Sequence, residues 1–446
     1  MFIVIAGVGA VGMYLAKMLV DNKHNVTIID KDIERLRIAE SQIDLLTING
    51  SSSLISVLEQ ANVGDADLLI AVTSDHDVNF ITCILGKKLG AKMTIARIRD
   101  YEYLYPEEQA VYKSIGVDNM IYPERIAALE IAELLKVTAA AEAFSFSNDK
   151  LTLLFLKVDN SAAIIGKTLT EISMNEPTLD FRAVAIKRGN HTIIPTGKER
   201  ICENDQIYII TKREKINRIF ELSGNVFTNI KDIMIIGGSK VGKRTALELE
   251  GHFNIKLIER DKTICNELSA LLEKTLIINA DGHDLKVLEE EGIKRMDAFI
   301  SVTNNTEVNI FLCLLAKKYG IKKTIALVDD LELIEVSQNI GIDTIINKKL
   351  IAASYIYRYT LDAEVVVAKS LVGVEADVFE FIVQEDSRVA NKILKDLKFP
   401  EGAIIGGLVR KKKSEIATGN TVIIPGDHVI VFSEPKVVPE IQKFFQ

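Results

Sequence analysis

The stretch IAGVGAVG, residues 5–12, and the related stretch IIGGSKVG, residues 235–242, decide how this chain is read. In the first, an apolar run leads straight into three glycines spaced G-x-G-x-x-G, and the segment AVGMYLAKMLVDN follows. Val11, Leu15, Met18 and Leu19 fall on one face of that segment at helical spacing. Strand, glycine turn and helix in this order make a phosphate-binding turn. Gly7 permits the tight reversal, Gly9 lets the backbone approach a pyrophosphate, and Gly12 lets helix and sheet pack closely. The helix start then presents unpaired N–H groups and a positive dipole end to phosphate. Asp30, 23 residues past Gly7, ends the second apolar run, NVTIID. A carboxylate there accepts hydrogen bonds from adenosine ribose hydroxyls and repels a 2′-phosphate, which favours NAD or ATP/ADP over NADP. Ile5 stands where a methyltransferase usually carries an acid.

The second turn departs from the first. It keeps Gly237 and Gly242 but has Ser239 in the place of Gly9, and a Cβ at that point hinders pyrophosphate approach. Lys240 stands where it can meet phosphate charge. Glu259 ends the run IKLIE as Asp30 ends its own and can hold a ribose, with Arg260 next to it. A different ligand, weak binding and no ligand all stay open for this turn.

The two turns belong to a long internal repeat. An offset of 230 pairs Gly7 with Gly237, Asp67 with Asp297, Thr73 with Thr303, Asn79 with Asn309 and Cys83 with Cys313. In the first copy, apolar runs at 2–6, 26–29, 44–48, 68–72 and 93–96 alternate with helical segments, which predicts a doubly wound parallel sheet. A period this long means duplicated domains, because solenoid repeats are far shorter. A second pair of segments matches at an offset of 222: residues 181–211 parallel 404–433, with Thr196 and Gly197 on Thr418 and Gly419, and Asp205 on Asp427. Their strand-like runs and short Gly, Asn, Asp or Pro turns predict a small α+β domain built around a hairpin. The order is therefore A, B, A′, B′. At the first junction, a helix starting at Pro123 and Glu124 carries an apolar stripe of Ile126, Leu129, Ile131, Leu134 and Leu135, suited to capping its own sheet or to a dimer contact.

Composition narrows the function. With 446 residues and 48% hydrophobic content, the chain can bury several cores. A net charge of −8 offers no basic field for nucleic acid, and the run RKKK at 410–413 reads as a solvated hairpin tip. The start MFIVIAG has no secretory-signal pattern, and no run of 18 apolar residues occurs despite a mean hydropathy of +0.17. The four cysteines form no CxxC pair, which fits reduced thiols in a cytoplasmic protein better than disulfides or zinc.

At the predicted end of the fourth strand, AVTSDHD (71–77) lies where open α/β sheets bind ligands, so Thr73 and Ser74 can donate to phosphate or ribose. Arg97, ending MTIAR, can place a guanidinium near phosphates or form a surface ion pair; its counterpart is Leu327. His76, between two aspartates, reads as part of a solvated loop rather than a metal ligand. No catalytic residues and no metal site are expected. The six histidines hold unrelated positions, and no GxSxG, HExxH or P-loop occurs.

The A-B-A′-B′ order, the IAGVGAVG turn, Asp30, the stretch GDADLLIAVTSDHDVN and the paired small domains resemble the tandem RCK (KTN) family of Trk-type potassium-uptake regulators, over essentially the whole chain. The resemblance implies two Rossmann-like RCK-N domains with doubly wound parallel sheets, 1–138 and 229–360, each followed by a small α+β RCK-C domain, 139–228 and 361–446. It implies a non-enzymatic cytoplasmic subunit, peripheral to the inner face of the membrane, forming a homo-tetramer ring under a TrkH/TrkG-type potassium translocation subunit. NAD(H) and/or ATP/ADP would be its regulatory ligands. Carried onto matching positions, Gly7, Val8, Gly9, Ala10, Val11, Asp30, Thr73, Ser74 and Arg97 would contact nucleotide in the first copy. Gly237, Gly238, Ser239, Lys240, Val241 and Glu259 would do so in the second. The rival readings are an NAD-dependent oxidoreductase and a regulator of another cation transporter, such as a cation/proton antiporter.

Overall fold

Why each half of the repeat folds as it does follows from its apolar runs, which are too short for buried helices and are separated by amphipathic ones. A computed structural model describes residues 1–136, 142–147, 150–189, 191–224, 230–361, 365–371, 376–411 and 413–446. The chain divides into two compact units, Met1–Ile126 with Lys348–Leu361, and Ala127–Asn347 with Asp362–Gln446.

In the first unit the chain runs β1 (Phe2–Ala6), α1 (Ala10–Asp21), β2 (Asn25–Asp30), α2 (Ile33–Gln42), β3 (Leu46–Asn49), α3 (Ile55–Gln60), β4 (Leu68–Ala71), α4 (His76–Leu89), β5 (Met93–Arg97), α5 (Pro106–Ser114) and β6 (Asn119–Ile121). The sheet order is β3-β2-β1-β4-β5-β6, with all pairings parallel. The order reverses direction beside β1 and β4, the crevice where such sheets hold ligands. All five apolar runs are strands, and Ile3, Val4 and Ile5 are fully buried, as strands covered on both faces must be. The sixth strand, three residues long with one buried, carries no comparable apolar signal. On α1, Val11, Leu15 and Leu19 are buried as the spacing predicts, while Met18 is half-buried and Ala16 completes the inner face.

The helix α6 (Pro123–Lys136) starts at Pro123 as expected. Its buried residues from Ala127 onward are Ala127, Ala128, Ile131, Ala132, Leu134 and Leu135, while Ile126 and Leu129 are only half-buried. The expected stripe is thus rotated toward the alanines, whose small side chains permit close packing.

The second unit continues with β7 (Glu142–Phe146), β8 (Leu151–Lys157), α7 (Leu169–Asn175), β9 (Phe181–Arg188), β10 (His191–Ile193), β11 (Gln206–Thr211) and α8 (Ile216–Leu222). A second Rossmann copy follows: β12 (Asp232–Ile236), α9 (Lys240–Leu249), β13 (Asn254–Glu259), α10 (Lys262–Leu271), β14 (Leu276–Asn279), α11 (Leu285–Glu290), β15 (Ala298–Ser301), α12 (Thr306–Lys318), β16 (Lys323–Leu327), α13 (Glu332–Asn339) and β17 (Thr344–Ile346). Its sheet, β14-β13-β12-β15-β16-β17, repeats the first. The next helix, α14 (Lys348–Tyr357), belongs to the first unit. There it lies against α1, with Tyr357 Oη donating to Asn22 Oδ1 at 3.0 Å. The last part is β18 (Val365–Ser370), β19 (Asp377–Ile382), β20 (Lys392–Ile393), β21 (Ala403–Arg410), β22 (Lys413–Ile416), β23 (Val422–Ile423), β24 (His428–Ser433) and α15 (Val438–Phe445).

Both small domains are antiparallel, with orders β10-β9-β11-β8-β7 and β18-β19-β24-β21-β22. Their sheets share one core, in which Phe146, Leu151, Val184 and Ile210 meet Val378, Val409, Ile430 and Phe432. Gly406 makes the approach possible, since a Cβ there would come within 3.0 Å of the Ile210 side chain. The domain limits read at 138/139 and 228/229 lie outside the described residues.

The repeat Asp205–Asp427 has a structural meaning that its aspartates alone did not reveal. Both carboxylates are 0% exposed. Asp205 accepts from Arg188 Nε and Nη2, each at 2.9 Å, and from the Cys202 N–H at 2.8 Å. Asp427 accepts from Arg410 Nε at 2.8 Å, from its Nη2 at 2.7 Å and from the Ile424 N–H at 2.9 Å. Arg410 is therefore an anchor of the fold and not part of a solvated tip, as read; Lys411 makes the turn at φ +56°, and Lys412 lies outside the described residues. Removing the cation strands a buried charge, whereas an arginine left alone can swing to water. Arg410→Met is expected to cost about 3 kcal/mol and Asp427→Ala less, with the double variant milder than the sum, measured from urea midpoints.

Candidate nucleotide-binding site

The first turn is built by a close approach of helix to strand. Gly7 sits at φ +106°, and a Cβ on it would lie 2.9 Å from the Thr73 nitrogen. A Cβ on Gly12 would lie 1.9 Å from the Gly7 carbonyl oxygen, so α1 starts where only glycine fits. Gly9 is different: a Cβ there would meet nothing within 4 Å. Its space is a cradle in front of the α1 N-terminus, which has no side-chain cap. The Val8 N–H donates to Asp30 Oδ2 at 2.6 Å and the Asp32 N–H to Oδ1 at 2.9 Å, which fixes the carboxylate at the end of β2 beside the turn. The Val8 side chain is buried, whereas Ala10 is exposed at the mouth and Val11 faces the core.

Across the crevice, the organiser is Asn79, a residue the repeat alignment paired but to which no role was assigned. Only 1% exposed, it accepts from the Thr73 N–H at 2.9 Å and the Thr73 hydroxyl at 2.7 Å. Its Nδ2 donates to the carbonyls of Thr73 at 3.2 Å and Arg97 at 2.9 Å, tying together the ends of β4 and β5. The Thr73 hydroxyl proton, read as a donor to phosphate, is thus engaged within the protein, and the hydroxyl also reaches the Asp75 carbonyl at 2.9 Å. Ser74 is exposed, and its carbonyl accepts from Arg99 at 3.4 Å. Arg97 Nη2 stands 4.0 Å from Glu124, while its buried Nε has no partner among the described residues. A buried guanidinium N–H without an acceptor fits an anionic ligand. His76 is not in a solvated loop as read: it opens α4, its ring packs edge-on against Tyr103 at 5.6 Å, and its Nε2 lies 3.3 Å from Asp77. Among the described residues no cluster of three or more His, Cys, Asp or Glu could hold a metal.

The second copy repeats the frame and changes the cradle. Gly237 has φ +103°, a Cβ on Gly242 would lie 2.0 Å from the Gly237 carbonyl oxygen, and the Gly238 N–H donates to Glu259 at 2.7 Å. Asn309 clamps Thr303 and the Leu327 carbonyl as Asn79 does its own partners. But the Ser239 hydroxyl donates to the Val302 carbonyl at 2.6 Å and accepts from the Gly242 N–H at 3.3 Å, capping α9 where the first copy leaves donors uncapped. Lys240 is exposed at the first helical position, Val241 is buried, and Leu327 is buried in Arg97's place. The two crevices therefore offer a ligand different things. The first has open donors and a cation. The second has a helix start already served by its own serine.

Models of the TrkA-N domain match residues 3–123 and 233–348, and models of the TrkA-C domain match residues 153–224 and 378–446. The chain belongs to the TrkA family. Within it, the Trk system potassium uptake protein TrkA of Vibrio alginolyticus is 33% identical over 453 residues, covering 100% of this chain and 99% of that protein. The protein of the same description from Halomonas elongata is 31% identical over 451 residues, again covering 100% and 99%. Among solved structures, the GsuK channel bound to NAD superposes with a TM-score of 0.61 at 17% identity, over 99% of this chain and 78% of that one, a likeness of fold. The A-B-A′-B′ order read from the repeats is the order in which the TrkA-N and TrkA-C models match along this chain. Because Ser239 caps α9, Ser239→Ala is expected to lower stability by about 1 kcal/mol, whereas Gly9→Ala, entering open space, leaves the thermal midpoint unchanged.

Proposed function

We propose that this chain is a non-enzymatic regulatory subunit of a membrane potassium-uptake system and binds a nucleotide, NAD(H) or ATP/ADP, in its first Rossmann copy. The observation that carries this is the contrast at one position: an empty, uncapped cradle at Gly9 against the self-capped Ser239. Asp30 would hold the adenosine ribose, the uncapped N–H groups of α1 the pyrophosphate, and Arg97 a phosphate oxygen. Full-length relatives described as potassium-uptake proteins support the process, and an NAD-bound channel of the same fold supports the ligand class. Among the described residues no helix is long and apolar enough to cross a membrane, which suits a subunit that works on a separate pore. The partner would be a translocation subunit of the TrkH/TrkG type, approached from the cytoplasm by a tetrameric ring.

Regulation needs a difference in affinity, since a ligand that binds two conformations equally shifts neither. The first copy has a route for such a difference. The helix α1, whose start would hold the phosphates, bears α14 on its flank, and α14 leads the chain toward β18 of the last domain. A nucleotide that draws α1 toward itself would bias α14 in the same step.

Calorimetric titration with NAD, NADH, ATP and ADP tests the site. Asp30→Ala is expected to weaken binding at least tenfold, a loss of about 1.4 kcal/mol, and Glu259→Ala to leave the measured affinity unchanged. No binding of any of the four, or loss on Glu259→Ala alone, would overturn the assignment. The ring is checked by light scattering, where a homogeneous monomer at high concentration would exclude it.

A further inference from the structure

The carboxyl ends of three neighbouring strands in the first copy form one line. β1 ends at the glycine turn, β2 at Asp30 and β3 at Asn49, and in the parallel register Asp30 stands directly beside Asn49. Adjacent strands lie roughly 5 Å apart. Passing outward from the turn that would hold the phosphates, over the acid that would hold the ribose, the next side chain is therefore Asn49, which is exposed.

The Asn49 amide is fixed by the strand beside it. Its Nδ2 donates to the Asp30 carbonyl at 3.2 Å and to the Lys31 carbonyl at 3.1 Å. Both partners are acceptors, so the amide can face them only with its NH2 group, and both of its N–H bonds are spent. What remains is Oδ1, which accepts no hydrogen bond among the described residues. Asn49 is thus an acceptor locked in place beside the ribose acid. The loop that follows keeps its hydroxyls to itself: Ser51 and Ser53 bond each other at 2.7 Å, and the buried Ser52 accepts from Thr82 at 2.8 Å.

We propose that Asn49 reads the base of the nucleotide in the first crevice and selects adenine over bases that carry a carbonyl oxygen in place of its amine. The inference rests on the nucleotide reading of that copy. Adenine presents an N6 amine donor where guanine presents the O6 acceptor. A locked acceptor pairs with the amine, and it faces the carbonyl oxygen with no proton between them. An amide free to turn could serve either base by exchanging its oxygen for its nitrogen; the carbonyls of Asp30 and Lys31 remove that freedom. A site built to bond a donor on its substrate rejects the analogue lacking it. The second copy keeps the arrangement, with Asn279 beside Glu259 and donating to the carbonyls of Glu259 at 3.1 Å and Arg260 at 2.9 Å. Its cradle is the one that Ser239 closes, so it supplies an internal control.

The test is calorimetric titration of the full chain with two pairs of ligands, ATP with inosine triphosphate and NAD with nicotinamide hypoxanthine dinucleotide. The members of each pair differ only along one edge of the base, where the amine gives way to a carbonyl oxygen. In whichever pair the crevice takes, the amine member is expected to bind about tenfold more tightly or better. Asn49→Ala is expected to bring the two members together, chiefly by loss of affinity for the amine. A substitution that only loosened the strand end would weaken both members alike and keep their ratio. Asn279→Ala is expected to change neither. Should the Asn49→Ala chain not fold, the ratio in the unaltered chain decides by itself. A chain that binds neither pair overturns the nucleotide reading and this inference with it. Equal binding within a pair, or a ratio that survives Asn49→Ala, overturns the base assignment alone.

Discussion

The contact on which each Rossmann copy depends is the one at Gly12 and Gly242, where helix and strand are so close that a single carbon would collide with a carbonyl oxygen. That contact forces the turn between them to be tight. Tightness puts the Val8 or Gly238 N–H within reach of the acid at the end of the next strand, and brings the glycine that opens the turn against the threonine beyond the fourth. The buried asparagine completes the frame by holding that threonine and the end of the fifth strand together. The geometry of the tight turn is thus a packing result, and both copies retain it.

What divides the copies lies outside that frame and is chemically cheap. A serine in place of Gly9 turns an open set of N–H donors into a closed cap, and a leucine in place of Arg97 removes the cation across the crevice. Neither exchange disturbs the sheet. Duplication within one chain supplies two frames, and single side chains then decide which of them still has something to offer an anion.

Much of this was legible in the sequence, for identifiable reasons. Strands buried on both faces must be continuous apolar runs, so the central strands could be read, and β3 was legible from its apolar run although it lies exposed at the sheet edge, while the short half-buried edge strand Asn119–Ile121 could not. Glycines that must be glycine announce the turn. The apolar stripe of α6 was misplaced because alanine is a weak marker of burial, although here it does the close packing. Pairings across space were less visible: the offset that matched Asp205 with Asp427 also sets Arg188 on Arg410, yet alignment does not show that each arginine bonds its aspartate, and it matched Asn79 with Asn309 without showing that they occupy the threonine hydroxyls. His76 looked solvated because its neighbours in sequence are aspartates, whereas its neighbours in space include Tyr103 and Phe80.

The crossing of α14 bears on how the protein is made as well as how it works. The flank of α1 is covered by residues that the ribosome adds more than 300 positions later. Until Ala352, Ala353, Ile356 and Tyr357 emerge, the first sheet has one helix with an uncovered apolar side, and the nascent N-terminal half is incomplete however well its strands have paired. A fragment cut between the halves would carry that same bare surface. The two halves, alike enough to align by eye, are not separable pieces, and the final docking of α14 is a step in which the whole chain must take part.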